Sequence, residues 1–420
     1  MVPYCRCGQA SSARRQHVFG LRKTMFWLGV WLLLCISPAR AEVPEDHLAA
    51  LRRGINITNW FRFPADTSKD RLRDYLPDTA MTELHQAGFT FVRLCIQPQF
   101  LLRADGQLDP DRLAVVLDAV RRLQRAGLAV VVDAHPESWR IEEDAAHRQG
   151  LLDFWRQMAP ALRSFDPRRT FPEVMNEPVV EDHAAWSRLQ EEALAVIRAA
   201  LPDSTVILTG ADWGSIDGLS RLQPVRDRRV IYSVHEYDPK VLTTFAFWEQ
   251  GLDTAMLARL PFPVQDTAAC EAIAAGTSHG RTQAIAAAYC AGRWNPGRLR
   301  DMLGRAAAWG RQHNVPVGVF EFGAHARLNE SARLGYLAAF RKAAEEYGMP
   351  WAIWGYGDIM GFPVQTATGR VRLDLAVLRA LGLPGGAERA PPLRHECWRL
   401  SRPATQLFMT SEMNRLLPNR

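Results

Sequence analysis

The 420-residue sequence lacks the signatures of several protein classes. It shows neither the glycine repeat of collagen nor the heptads of a coiled coil. With 47% hydrophobic and 23% charged residues, it also lacks the composition of a long disordered chain. No G-x-G-x-x-G motif follows the first predicted strand, which argues against a dinucleotide-binding fold. These absences leave a soluble globular protein with a large core, in one domain or two.

The chain beyond its first 41 residues also lacks a net charge. The whole sequence has 51 basic and 45 acidic residues, a formal charge of +6. Residues 1–41 hold six of the basic residues and no acidic one, so the remaining charges balance. A neutral protein offers no electrostatic surface for nucleic acid and suits an uncharged substrate.

The N-terminus has the pattern of an export signal. Basic residues precede an apolar run over 25–36, and Ala39-Arg40-Ala41 is a small-x-small cleavage signal. The run is shorter than the roughly 20 residues that span a bilayer. We predict a secretory signal peptide over 1–41 and a secreted or periplasmic protein without stable membrane association. An uncleaved anchor is the alternative, and Arg14-Arg15 hints at twin-arginine export.

Few cysteines remain after the leader, and none has the spacing of a metal site. Cys95 lies in a strand pattern and is interpreted as a buried apolar residue. Cys270 and Cys290 flank one insertion and could form a disulfide in an oxidising compartment, or remain two free thiols. Cys397 lies in the C-terminal tail.

From residue 51 onward, strand-like runs alternate with amphipathic helical runs. The strand candidates are 53–58, 89–96, 128–134, 171–175, 205–209, 230–234, 315–320 and 351–354. The helix candidates are 78–87, 111–126, 148–164, 183–201, 216–222, 296–313, 331–347 and 374–381. Eight such pairs predict an α/β fold, a (β/α)₈ TIM barrel over 42–384, with a doubly wound open sheet as the alternative.

Two segments interrupt this regular pattern. Residues 238–295 separate the sixth and seventh strands, which is far longer than an ordinary connection. On a barrel this insertion would lie at the catalytic face, either as the wall of a cleft or as a decorative subdomain. Residues 385–420 have no apolar period and are interpreted as an irregular basic tail.

Polar and aromatic residues stand at the carboxyl ends of the predicted strands, where sites of parallel α/β folds are built. The fourth strand ends in Asn176-Glu177-Pro178, and the seventh ends in Glu321. The other strands contribute Asn56, Trp60, Arg93, Asp133, His135, His235, Tyr237 and Trp354. In a barrel these side chains would converge on one pocket, and that convergence is the functional signal.

Taken singly, several of these residues have a structural alternative. Glu177 could support a helix N-terminus, Glu321 could pair with an arginine, and His135 or Trp354 could belong to the core. Glu173 faces the same side of its strand as Glu177. We expect it lower in the barrel, in a structural pair with Arg52 or Arg93.

Six motifs together resemble glycoside hydrolase family 5, the cellulase/mannanase family of retaining (β/α)₈ hydrolases. They are Val92-Arg93-Leu94, Asp133-Ala134-His135, Asn176-Glu177-Pro178, His235-Glu236-Tyr237, Glu321-Phe322-Gly323 and Trp354. The resemblance covers roughly residues 51–382. His135-Pro136 departs from the family's usual His-Gly, which leaves the shape of the substrate subsites open.

The resemblance implies a role for each residue. Glu177 would be the acid/base and Glu321 the nucleophile of retaining hydrolysis, with no metal or organic cofactor. Substrate contacts are expected from Asn56, Trp60, Arg93, His135, Asn176, His235, Tyr237 and Trp354. Arg93 and Tyr237 would stabilise the ionised nucleophile, and Asn176 would bind the sugar 2-hydroxyl. The partner would be a β-glycan acted on by a monomer.

The substrate remains the most open point. An endo-β-1,4-glucanase is the first choice by resemblance, with β-mannan and β-1,3-glucan as alternatives. A non-catalytic glycan-binding barrel is a second hypothesis, and both carboxylates argue against it. A metal-dependent hydrolase using Asp133, His135 and His235 is a third, which a chelator would inactivate. A structural or adhesive secreted protein would leave the converging strand ends unexplained.

Overall fold

The computed structural model describes residues 42–363 and 371–386. The predicted signal peptide, Cys397 and nearly all of the predicted tail lie outside these residues. Within them, no helix combines the length and apolar character needed to cross a membrane.

Eight parallel strands form a closed barrel in sequence order, and pairing of β1 with β8 closes it. This arrangement confirms the predicted fold class. The strands are β1 (Arg53–Phe61), β2 (Phe91–Ile96), β3 (Ala129–Ala134), β4 (Thr170–Glu173), β5 (Val206–Thr209), β6 (Val230–His235), β7 (Val317–Phe322) and β8 (Trp351–Tyr356).

One helix on the outside of the barrel follows each strand. These helices are α1 (Asp78–Ala87), α2 (Pro110–Arg125), α3 (Ala145–Ala161), α4 (His183–Ala200), α5 (Ile216–Ser220), α6 (Pro296–His313), α7 (Glu330–Glu346) and α8 (Leu375–Ala380). α3 begins three residues before the predicted start, because the Asp144 side chain accepts a hydrogen bond from Ala146 N and caps the helix there.

Further helices lie before β1, in the connections and after α8. They are Glu45–Ala50, Lys69–Asp74, Pro98–Leu101, the single turn Ala211–Gly214, Lys240–Thr243, Thr254–Leu257, Thr267–Ala274, Gly280–Ala291 and the 3₁₀ turn Pro384–Gly386. Glu45–Ala50 lies at the amino-terminal end of the barrel, where His47 Nδ1 lies 2.7 Å from Thr205 Oγ1. Leu51, which follows this helix, joins the apolar cluster inside the barrel.

The barrel interior is layered, because residues two apart on a strand face the same side. The lower layer is apolar and includes Phe91, Val131, Phe171, Ile207, Ile231 and Phe320. A Cβ on Gly54 would lie 2.2 Å from the Phe91 ring, so glycine is required for this packing. Two residues further along their strands, Arg93, Asp133 and Glu173 form a buried charged layer. The candidate site lies above it.

The long insertion between β6 and α6 contains four short helices and one disulfide. Cys270 and Cys290 are bonded with their Cα atoms 5.6 Å apart, which joins the helices Thr267–Ala274 and Gly280–Ala291. Cys95 is a buried free thiol, as its strand pattern predicts. The insertion begins three residues after the carboxyl end of β6 at His235. That it walls the cleft stays a prediction.

Candidate active site

The end of β4 holds the motif that carries the proposed acid. Beyond Glu173 the backbone remains bonded to both neighbouring strands: Val174 N donates to Ile207 O at 3.0 Å, and Asn176 N donates to Ala134 O at 2.9 Å. Trp155 in α3 also donates from Nε1 to Val174 O at 2.8 Å. These bonds fix the chain immediately before Glu177 and therefore the direction of its side chain.

Glu177 and Glu321 lie next to each other across the barrel mouth, with His235 between them. His235 Nδ1 lies 2.9 Å from Glu177 Oε1 and 3.5 Å from Glu321 Oε1. One carboxylate oxygen of each glutamate and a ring nitrogen of His235 all lie within 4.8 Å of one another. An upper limit of 4.8 Å between these carboxylate oxygens fits the separation of about 5–5.5 Å in retaining glycosidases and is shorter than the roughly 6.5–9.5 Å of inverting enzymes.

The two glutamates differ in their partners. Glu321 Oε1 accepts a hydrogen bond from Arg93 Nη1 at 2.6 Å, and its Oε2 accepts one from Tyr237 Oη at 3.0 Å. Glu177 has no arginine in contact among the described residues, and its side chain is 22% exposed against 5% for Glu321. Donors on both oxygens, one of them cationic, stabilise the ionised form of Glu321.

Burial acts on the protonation of both carboxyl groups. It raises the pKa of Glu177 to about 7, so this side chain can hold a proton at neutral pH. Burial raises the pKa of Glu321 to about 7 as well, and the positive charge of Arg93 opposes that rise. Since Arg93 is in direct contact with Glu321, we assign the shared negative charge of the pair to Glu321.

Arg93 is the centre of the charged layer and has no exposed surface. It donates to both oxygens of Glu173, from Nε at 2.7 Å and from Nη2 at 2.9 Å. Nη2 also donates to Asn176 Oδ1 at 2.8 Å and lies 3.0 Å from Asp133 Oδ2. The predicted structural pair of Glu173 is confirmed with Arg93 as the partner. Because the arginine fixes Asn176 Oδ1, the Nδ2 group is the part of that amide left to donate.

His135 and Trp354 are neighbours next to the charged layer. His135 Nδ1 is 2.7 Å from Asp133 Oδ2, and its ring centroid is 5.9 Å from that of Trp354. Burial lowers the pKa of His135 well below its usual value, so the ring is neutral. Asp133 also pairs with Arg93 and accepts the Nδ1 proton, which leaves Nε2 of His135 as an acceptor.

The structure brings together most of the residues that the strand ends predicted, but it places two of them away from the site. Asn56 is fully buried: its Nδ2 donates to the carbonyls of Phe320 and Ile353 at 2.9 and 3.2 Å. Trp60 is also fully buried and donates from Nε1 to Leu72 O at 2.6 Å. Neither side chain can contact a substrate in this structure, so we assign both to the scaffold. Arg93 is likewise enclosed and can act only through its neighbours.

Three further residues at the strand ends were not predicted. Arg62 follows β1 and forms an ion pair with Glu137, which follows β3. Trp213 follows β5 and is 42% exposed. Its backbone N–H donates to Pro178 O at 3.3 Å, so the Trp213 backbone contacts the residue that follows Glu177. The sequence signal that could have identified Trp213 is an aromatic residue between two glycines directly after an apolar strand, in Gly210-Ala211-Asp212-Trp213-Gly214.

Trp213 is held in an unusual backbone conformation. Asp212 and Trp213 have φ of 59° and 60°, in the left-handed region that side chains other than glycine rarely adopt. Such strain costs of order 1–3 kcal/mol per residue and is concentrated at functional sites. An exposed indole held at this cost after the carboxyl end of β5 is a candidate apolar surface for a sugar ring.

Two groups of side chains have the chemistry to hold a metal ion: Glu177, His235 and Glu321, and also Cys95, Asp133 and His135. In each group a carboxylate already contacts the guanidinium of Arg93, at 2.6 Å for Glu321 and 3.0 Å for Asp133. An arginine thus supplies the positive charge that a metal would bring. The set Asp133, His135 and His235 does not form a compact ligand group within the described ranges.

Comparison with known proteins agrees with this geometry. The chain is 26% identical over 340 residues to Endoglucanase 3 of Fibrobacter succinogenes, covering 74% of this chain and 50% of that protein. It is 22% identical over 321 residues to Endoglucanase C of Acetivibrio thermocellus, covering 74% and 92% of the two chains. The chain therefore spans about half the length of the first relative and most of the second.

Solved structures show the same fold. Endoglucanase Cel5A from the hyperthermophilic Thermotoga maritima superposes with a TM-score of 0.66 at 23% identity, covering 81% of this chain and 99% of that one. The model of the family described as Cellulase (glycosyl hydrolase family 5) matches residues 53–358, which include every strand of the barrel. The chain belongs to glycosyl hydrolase family 5.

Proposed function

We propose that this protein is a retaining β-glycosidase, an endo-β-1,4-glucanase, with Glu177 as acid/base and Glu321 as nucleophile. The observation that carries the proposal is a close pair of carboxyl groups in different environments. Glu321 accepts from Arg93 and Tyr237, whereas Glu177 holds a proton through burial. Opposite protonation of two adjacent carboxyl groups is the starting state of retaining hydrolysis.

In the first step, a carboxylate oxygen of Glu321 bonds to the anomeric carbon as the glycosidic C–O bond breaks. Glu177 donates its proton to the departing oxygen, so the leaving sugar departs as a neutral alcohol. Tyr237 and Arg93 hold the nucleophile in place, which limits the reorganisation needed to reach the transition state. The product of this step is a covalent glycosyl-enzyme.

In the second step, Glu177 is ionised and takes a proton from an incoming water. The water oxygen bonds to the anomeric carbon, Glu321 leaves as a carboxylate, and Glu177 regains its proton. The neighbouring His235 ring is uncharged, because burial lowers its pKa. A neutral imidazole 2.9 Å from Glu177 can hold this carboxyl group in place whether Glu177 is protonated or ionised. The imidazole remains neutral and leaves the proton on Glu177.

Asn176 has a separate task beside the nucleophile. Arg93 holds its Oδ1, so its Nδ2 can donate to the sugar 2-hydroxyl. This hydrogen bond strengthens as the sugar gains oxocarbenium character. It therefore lowers the activation barrier of the chemical step more than it strengthens substrate binding. His135 and Trp354 offer an acceptor and an apolar face to the same sugar.

The substrate is proposed from the relatives and from charge. Both cited relatives are named endoglucanases, and a chain neutral after residue 41 suits an uncharged polymer. We infer that residues 1–41 are a signal peptide, that 42–384 form the catalytic domain with 238–295 at the catalytic face, and that 385–420 form a tail. The mature protein would act as a secreted or periplasmic monomer.

The test replaces each glutamate by alanine and adds azide. With an activated aryl β-cellobioside, Glu177→Ala should be rescued by azide with β-cellobiosyl azide as product, because azide attacks the glycosyl-enzyme. Glu321→Ala should yield α-cellobiosyl azide, because azide then attacks the sugar directly. Reversed products, or near-wild-type hydrolysis by either variant without azide, would refute the assignment.

Two controls complete the experiment. Glu236→Gln is the matched variant, because burial also raises the pKa of Glu236 to about 7. Its carboxyl group accepts a hydrogen bond from the backbone N–H of Asp238 and has no role in the proposed mechanism. It should retain activity. A panel of β-1,4-glucan, β-mannan and β-1,3-glucan, read by product length, identifies the polymer and distinguishes endo from exo action.

A further inference from the structure

Arg62 is a charged side chain at the carboxyl end of β1 that the proposed reaction does not use. It follows β1 directly, so it lies at the same face of the barrel as the two glutamates. Its Nε donates to Glu137 Oε1, and no other hydrogen bond of this guanidinium is formed among residues 42–363 and 371–386. Its two terminal nitrogens therefore remain as donors.

The guanidinium is held in place from several sides. Its central carbon lies 5.2 Å from the centroid of the Trp354 ring and 4.6 Å from that of Phe63. Glu137, its ion-pair partner, is also 3.7 Å from His135 Nε2. The Arg62 side chain is 14% exposed, and that of Glu137 is 25% exposed. A guanidinium fixed by an ion pair and two rings loses little entropy when it binds a ligand.

The position of Arg62 in the barrel indicates which part of a glycan it would meet. The acid must face the leaving sugar, and Glu177 follows β4, beside β5 with its exposed Trp213. In a closed ring of eight strands, β1 and β8 lie opposite β5 and β4. Arg62 and Trp354 therefore lie on the side of the sugars that stay bound to the nucleophile.

We propose that Arg62 binds the retained part of the glycan, its terminal nitrogens donating to adjacent hydroxyls of one sugar while Glu137 and Trp354 hold the guanidinium. The inference rests on the proposed glycosidase function. Glu137 already balances the positive charge, so neutral hydroxyls rather than an anionic substituent are the expected partners. A guanidinium presents two parallel donors, which a lysine ammonium cannot reproduce.

The experiment uses Arg62→Lys, which keeps the charge, and Arg62→Met, which keeps the apolar contact with Trp354. The substrate is an activated aryl β-cellobioside, because both of its sugars belong to the retained side. Both variants should lose about 10-fold to 100-fold in kcat/KM, as expected for lost hydrogen bonds from a charged group. The loss should appear mainly in KM.

A pH profile separates binding from electrostatics. The Arg62 charge partly offsets the rise that burial causes in the pKa of Glu177 and Glu321, so Arg62→Met should move the profile to higher pH. Arg62→Lys should leave the profile in place. Wild-type kcat/KM in Arg62→Lys would overturn the proposal, because charge alone would then suffice. Unchanged kcat/KM in Arg62→Met would overturn it as well.

Controls distinguish this inference from the proposed function. Arg121→Met is the matched variant, because the Arg121 guanidinium also lies over a ring, 5.5 Å from that of Phe165, on the outer helix α2. It should behave as wild type. If the wild-type protein hydrolysed no β-glycan, both the proposed function and the role of Arg62 that rests on it would be refuted, whereas active Arg62 variants with wild-type kcat/KM would refute the role of Arg62 alone. A loss in Arg62→Met that was much larger on carboxymethyl-glucan than on neutral β-glucan would also contradict the proposal, because Arg62 would then be binding the anionic substituent.

Discussion

Replacement of Arg93 by lysine is expected to damage stability and catalysis together. Arg93 has no exposed surface and forms five hydrogen bonds to side-chain oxygens, two of them with Glu173 and one each with Glu321, Asn56 and Asn176. It also lies 3.0 Å from Asp133. Lysine keeps one positive charge but has three donors on a single nitrogen. At least two buried oxygens would lose their donor.

The expected magnitude follows from these contacts. A buried acceptor left without a donor costs about 1–3 kcal/mol, and disruption of a buried ion pair costs about 3–5 kcal/mol. We therefore expect the free energy of unfolding to fall by about 3–5 kcal/mol. Catalysis should fall by about 100-fold or more, because Glu321 and Asn176 lose the group that orients both.

The measurements are a urea titration followed by tryptophan fluorescence and the pH dependence of kcat/KM. Arg333→Lys is the matched control: Arg333 is 7% exposed but donates to two neutral carbonyls, of Ala324 and Gly361. It should cost less stability and leave the pH profile unchanged. An Arg93→Lys protein with the wild-type urea midpoint would refute the argument that this guanidinium holds the charged layer together.

Two further predictions concern the working protein. The dependence of kcat/KM on pH should be bell-shaped: burial raises the pKa of Glu177 to about 7, so activity falls as the pH rises through about 7 and this acid loses its proton. Activity falls at lower pH as Glu321 gains a proton, and a rate that increased steadily up to pH 9 would contradict the assignment. Trp213→Ala should reduce kcat/KM on cellotetraose about 10-fold through lost stacking, while an aryl cellobioside, which has no sugar on the leaving side, should be cleaved as by wild type. Equal losses on both substrates would place Trp213 elsewhere than beside the leaving sugar.

The fold was largely predictable, because strand and helix periods alternate without ambiguity over most of the chain. All eight strands and the eight outer helices lie within a few residues of their predicted positions. The pair Glu177 and Glu321 was predictable for a related reason: each ends an apolar strand, and the barrel closes those ends into one ring. Neither the positions of the strands and helices nor the pairing of Glu177 with Glu321 required knowledge of the tertiary packing.

The depth of a residue within the barrel was not predictable from its strand. Asn56 was expected at the rim because β1 was predicted to end at residue 58, whereas the strand continues to Phe61. Asn56 is therefore five residues below the strand end, roughly 16 Å at about 3.3 Å per residue. A register shift between Ile57 and Phe61 also changes which side chains face inward, and Trp60 is buried against Tyr75 as a result.

The ionisation of the site depends on the charged layer below it. One guanidinium, that of Arg93, contacts three carboxyl groups, of Asp133, Glu173 and Glu321, and burial raises the pKa of all three. The three acids therefore compete for one positive charge. Asp133 and Glu321 each accept from one further side chain, His135 and Tyr237 respectively. Tyr237 therefore stabilises negative charge on Glu321 at the barrel mouth, where the proposed nucleophile has to be ionised.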